Sequence, residues 1–120
     1  MAQQFMLILF EKPGDFASMS PEQIQKIIEQ YGAWGGKVAA AGQMAGGYKL
    51  REEGGKRMIQ TAGKLAVTDG PYAETKEVIG GVYLLNVGSY DEAVKVASDC
   101  PHLKFGRIEV RRLDPMDGTP

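Results

Sequence analysis

At 120 residues with 43% hydrophobic content, the chain is long enough for one compact domain with a core that needs neither disulfides nor a structural metal. A formal charge of −1, with acidic and basic residues mixed along the chain, excludes the electrostatic footprint of a nucleic-acid or anionic-membrane binder. One cysteine, Cys100, and one histidine, His102, exclude an internal disulfide and a Cys/His zinc cluster, so a reducing cytoplasm with no metal and no cofactor is expected.

The run Phe5-Met6-Leu7-Ile8-Leu9-Phe10 is too short to span a bilayer and reads as a first strand, apolar on both alternating faces. Ser20-Pro21-Glu22-Gln23 is a helix start, with Ser20 as N-cap, Pro21 at the first helical position and Gln23 closing a capping box. Ile24, Ile27, Ile28, Tyr31, Trp34 and Val38 then recur at helical spacing, and the helix should end near Gly42. Gly32, Gly35 and Gly36 weaken this helix, which predicts that another backbone approaches it closely. Extended runs follow at Tyr48–Leu50, Arg57–Gln60 and Leu65–Val67, separated by the turns Glu53-Gly54-Gly55 and Ala62-Gly63-Lys64, which predicts antiparallel hairpins. Gly80 to Val87 is another strand with two apolar faces. Ser89 starts a second helix, with Glu92 completing its capping box and Pro101 ending it, and Arg107 to Leu113 is the last strand.

This order predicts an α+β fold of ferredoxin-like type with an inserted β-hairpin. A single domain should occupy residues 1–113, with a frayed tail at 114–120. Two helices cover only one face of a sheet, so central strands apolar on both faces imply a second layer. The simplest second layer is another copy of the chain, packed sheet to sheet as a homodimer.

Between the hairpin and the next strand lies Asp69-Gly70-Pro71-Tyr72-Ala73-Glu74-Thr75-Lys76-Glu77, the densest group of polar chemistry in the chain. With Ile79-Gly80-Gly81-Val82-Tyr83, Ser89-Tyr90-Asp91-Glu92-Ala93, Cys100-Pro101-His102 and Gly106-Arg107-Ile108-Glu109-Val110-Arg111, it resembles the DGPF family of YCII-related proteins over roughly residues 3 to 113. Tyr72 stands where the motif that names the family has Phe. The resemblance implies a dimeric α+β barrel with ligand pockets near the dimer interface and no firmly general reaction. It also implies a departure. Smaller YCII-type relatives carry a His on the first helix and an Asp before a late Pro, proposed as an acid-base pair, and the matching positions here are Tyr31 and Cys100. DGPF members are also similar to products encoded beside extracytoplasmic-function sigma factors, which implies a regulatory setting as the alternative to ligand binding.

Several side chains then compete for a role. Asp69 is a general base if a low-dielectric pocket tunes its carboxylate, or a turn residue accepting backbone N–H bonds. Glu74, Thr75 and Lys76 either orient a polar ligand or cap a short turn, and Tyr72 either holds a ligand or anchors the core. His102 is a ligand-binding candidate, because histidine titrates near neutrality, and it would activate Cys100 only if the two met in space. Glu109 should pair with Arg107 or Arg111. Gly46-Gly47 and Gly80-Gly81 lack phosphate-loop spacing. The expectation is a homodimer that binds a small molecule, with weak acid-base chemistry led by Asp69; the alternative is a non-catalytic dimerisation or partner-binding module.

Overall fold

The first strand alternates strictly between two environments. β1 (Gln3–Glu11) buries Phe5, Leu7, Leu9 and Glu11 on one face and leaves Met6, Ile8 and Phe10 half-buried on the other. A computed structural model describes the chain over residues 3–69 and 77–115. Along it follow α1 (Pro21–Ala40), β2 (Met44–Lys49), β3 (Lys56–Thr61), β4 (Lys64–Asp69), β5 (Val78–Val87), α2 (Tyr90–Ala97), a 3-10 turn (Pro101–Lys104) and β6 (Ile108–Arg112).

Both helices begin as their sequences dictate. Ser20 Oγ accepts from Gln23 N at 3.2 Å while Gln23 Oε1 accepts from Ser20 N at 2.9 Å, a closed capping box with Pro21 in the first turn. Ser89 caps α2 through Glu92 N at 3.2 Å, but the Glu92 carboxylate reaches one residue further back, to Gly88 N at 2.9 Å. Gly32 and Gly36 meet open space, and a side chain at Gly35 would touch only the Met44 methyl at 4.0 Å. Among the described residues, no other backbone makes the close approach expected along this helix.

Strands β2, β5, β1 and β6 form, in that order, a four-stranded sheet in which every pair is antiparallel. Both helices lie on one side of it, where Phe5, Leu7, Leu85, Val87, Trp34, Val38, Ala93, Ala97 and Cys100 make the core. Trp34 stacks edge-on against Tyr83 with ring centroids 4.9 Å apart and donates its Nε1–H to Val96 O at 3.2 Å and Asp99 Oδ1 at 3.1 Å, so the only tryptophan is both packed and satisfied.

The expectation of a ferredoxin-like dimeric α+β barrel is corrected here. The α+β class stands, but the described strands make two small separate sheets and no closed barrel. β2 and β6 remain the edges of a sheet too narrow to close on itself, and β3 and β4 pair only with each other. Strands apolar on two faces do not specify which edges join, and the barrel is what the family resemblance implies, not what that pattern requires. The hairpin exposes Met58, Ile59, Leu65 and Val67. The molecule measures 47 × 46 × 17 Å with a radius of gyration of 16.7 Å, against about 14 Å for a compact domain of this length. It is a two-layer slab with a projecting arm.

Candidate functional site

At the end of β1 the buried face carries a carboxylate where the alternation Phe5, Leu7, Leu9 calls for another apolar residue. Leu9 pairs with Gly81 and Phe10 with Ile79, so Gly80 is the extra residue of a bulge between them. The Glu11 carboxyl lies over this bulge: a Cβ built on Gly80 would sit 1.7 Å from Glu11 Oε1. Glycine there leaves the space that the acid fills. Glu11 is buried, and that burial pushes its carboxyl above the ordinary range, against the opposing pull of Lys49 and then His102.

His102 is delivered from the other end of the chain by the 3-10 turn and is only 1% exposed. Its Nε2 lies 2.8 Å from the Phe10 carbonyl oxygen and its Nδ1 lies 2.8 Å from the Tyr31 hydroxyl. A carbonyl only accepts, which assigns the proton to Nε2 and leaves the Nδ1 of the neutral ring as acceptor from Tyr31. Gly106 makes this contact possible, since a Cβ there would fall 1.8 Å from Phe10 O and 3.2 Å from His102 Nε2. Burial raises the Tyr31 phenol well above its ordinary range, with Cys100 and Glu11 adding to the effect, so the hydroxyl keeps its proton at neutral pH. Tyr83 is shifted the same way, again mainly by burial.

These groups share one cavity of about 530 Å³ between α1 and the sheet. Ile24, Ile27, Ile28 and Phe16 supply its apolar wall; Glu11, Tyr31, Tyr83 and His102 supply the polar end; Gly47 to Lys49 of edge strand β2 complete the rim. The volume fits a small organic molecule. Among the described residues no cluster of three or more His, Cys, Asp or Glu side chains is placed to hold a metal. No helix among the described residues is long and apolar enough to cross a membrane.

Of the residues singled out from sequence, His102 lines this cavity. Asp69 ends β4 with its carboxylate 85% exposed and 2.6 Å from Lys56 Nζ, outside the cavity lining. Tyr72, Glu74, Thr75 and Lys76 lie outside the described residues. Cys100 is buried in the core, and both ring nitrogens of His102 have other partners. Glu109 pairs with Arg107, whose guanidinium also takes Glu77 in a forked contact at 2.9 and 3.0 Å and lies 3.9 Å over the Phe10 ring. Glu11 and Tyr31 were missed as site residues. The signal for Glu11 was there, an acid in phase with the buried face of an apolar strand. Tyr31 was hidden inside an apolar helical stripe, and its partner is 71 positions away.

The described residues thus form an α+β sheet with two helices on one face, and a buried carboxyl, a half-buried phenol and a buried imidazole line one cavity between that face and α1. The chain belongs to the YCII-related domain family, whose model matches residues 4–117. It is also similar to an uncharacterized protein of Rhizobium meliloti (strain 1021), R00369, with 32% identity over 100 residues that cover 81% of each chain.

Proposed function

We propose that this YCII-family protein binds a small, largely apolar molecule with a polar head in the cavity between α1 and the sheet, whose polar end presents acid-base groups to it. The observation that carries this reading is the convergence of Glu11, Tyr31 and His102 on one apolar-walled cavity, with a carboxyl pushed up by burial and an imidazole whose tautomer is set by a carbonyl. The helix position that holds a His in smaller YCII-type relatives holds Tyr31 here, and Tyr31 engages His102, so proton-handling chemistry persists in altered form. Asp69, against Lys56 on the exposed hairpin, is left an ion-pair role in this reading.

The chain is further proposed to work as a homodimer, with the cavity beside the interface. Met6, Ile8, Phe10, Val82 and Leu84 form an apolar sheet face without helices, and the hairpin that follows the cavity rim exposes Met58 and Leu65. A second copy satisfies both at once. That same exposure is what favours the partner-binding alternative, in which a different protein takes this place. A monomeric mass by analytical ultracentrifugation at micromolar concentration would remove the dimer.

The ligand test uses Trp34, the only tryptophan, which touches cavity residue Tyr83. Screening small acids, amines and carbonyl compounds should give hits that change Trp34 fluorescence and raise the melting temperature. Ile28→Arg, on the half-exposed helical wall, should abolish both responses while the protein stays folded. A panel without hits, or hits that survive Ile28→Arg, would refute the cavity as the ligand site.

A further inference from the structure

Resting on the cavity reading above, we infer that the cavity catalyses keto–enol proton transfer on a small enolisable carbonyl compound, a 2-oxo acid with an apolar side chain, using Glu11 and Tyr31 as the two proton-exchanging groups. The cavity's own residues narrow the chemistry. Among the described residues its lining contains no Ser, Thr or Cys, the usual acyl-transfer nucleophiles. It holds proton carriers instead. Glu11 stands over the Gly80 bulge, and Tyr31 is joined to His102 Nδ1 at 2.8 Å. The isoleucines of α1 and Phe16 take an apolar body, and Lys49 on the rim offers an ammonium for a carboxylate.

The hydrogen bonds give the direction of transfer. Because Nε2–H is committed to the Phe10 carbonyl, Tyr31 donates to Nδ1 and its oxygen keeps a lone pair able to accept, so in this step the phenol takes up a proton as it passes its own on. In the enol-to-ketone direction, the enol O–H proton moves to Tyr31 and the Tyr31 proton moves to His102 Nδ1. The O–H electron pair becomes the carbonyl π bond, and the C=C pair forms a new C–H bond with the proton of the neutral Glu11 carboxyl. The products are the ketone, a Glu11 carboxylate and a His102 imidazolium whose Nε2–H keeps its carbonyl; return of one proton from His102 to Glu11 through solvent resets the site. No oxidant or further reactant is required. Burial favours the neutral carboxyl that the step consumes.

His102 is a positioning and relay residue, since it acts through Tyr31. The test follows the ultraviolet absorbance of phenylpyruvate enol as it ketonises, with binding of the same compound read separately by thermal shift. Acceleration above the buffer rate is expected, and Glu11→Gln and Tyr31→Phe should each lower kcat by about 100-fold. His102→Gln should lower kcat with KM held, and combining it with Tyr31→Phe should cost no more than Tyr31→Phe alone, because the two form one relay. If His102→Gln fails to fold, Tyr31→Phe, which keeps the ring, decides. Phenylpyruvate that binds yet ketonises at the buffer rate overturns this inference and leaves the cavity as a binding site. Phenylpyruvate that neither binds nor ketonises overturns it too, and the wider ligand panel then judges the cavity reading on its own.

Discussion

The two faces of the four-stranded sheet come from the same strands, yet only one of them is covered by helices. On the helix side Leu7 and Leu85 are wholly buried and the core closes around Trp34 and Val38. On the other side Met6, Ile8, Phe10 and Leu84 are equally apolar and only half-buried, and the hairpin beyond them exposes more apolar surface. The covered face accounts for the stability of the single chain; the open face is the one that the proposed second copy would cover. The cavity sits where these meet, closed by α1 on one flank and bordered by edge strand β2 on the other.

The sharpest way to break this comparison is to delete equivalent side chains on adjacent positions of β1. Leu7→Ala removes a side chain with no exposed surface and should cost about 2–5 kcal/mol in urea denaturation, whatever the protein concentration. Ile8→Ala should cost less, about 1 kcal/mol in dilute solution, and its penalty should grow with protein concentration as the variant loses a stabilising partner. Equal and concentration-independent losses at the two positions would mean that both faces are already closed within one chain.

A smaller effect tests the polar end of the covered face. Glu11 has a folded-state pKa above its ordinary value of 4.5, so the folded chain holds a proton that the unfolded chain releases. The contribution of the protonated carboxyl is therefore complete below that value and is lost as pH rises through the folded pKa. Glu11→Gln removes the titration. Relative to the parent, the variant should gain stability as pH rises from about 4 to 8, by roughly 1 kcal/mol for each unit of elevation. An unchanged difference across that range would show that the carboxyl is solvated in the folded protein.

How much of this was legible in the sequence depended on the range of the interaction. Ser20 with Gln23 and Ser89 with Glu92 announce helix starts because caps are local, and the alternation of β1 marks a strand for the same reason. The site was less legible. His102 drew attention by its chemistry, but it meets Tyr31 and Phe10 only after the fold joins positions 71 and 92 residues apart. The polar density of Asp69 to Glu77 pointed to a different place, and the described ends of that segment, Asp69 and Glu77, are in ion pairs with Lys56 and Arg107. That the described strands do not close into a barrel was not legible either, because apolar periodicity fixes which face is buried and leaves the pairing of strand edges open.

The smallest effect is predicted where the sequence drew the most attention. The Lys56–Asp69 pair sits at the open end of the hairpin with side chains 70% and 85% exposed. Water screens such a pair, and ordering two mobile side chains offsets most of its attraction, so Asp69→Asn should change stability by under about 0.5 kcal/mol and less still in high salt. It should also leave ligand-induced changes in Trp34 fluorescence untouched, since Asp69 does not line the cavity. Glu11→Gln, beside the Gly80 bulge, should alter them. Should Asp69→Asn abolish the fluorescence response while Glu11→Gln spares it, the ligand must contact the hairpin and not the helix-covered cavity, and the roles assigned to the two regions would have to be exchanged.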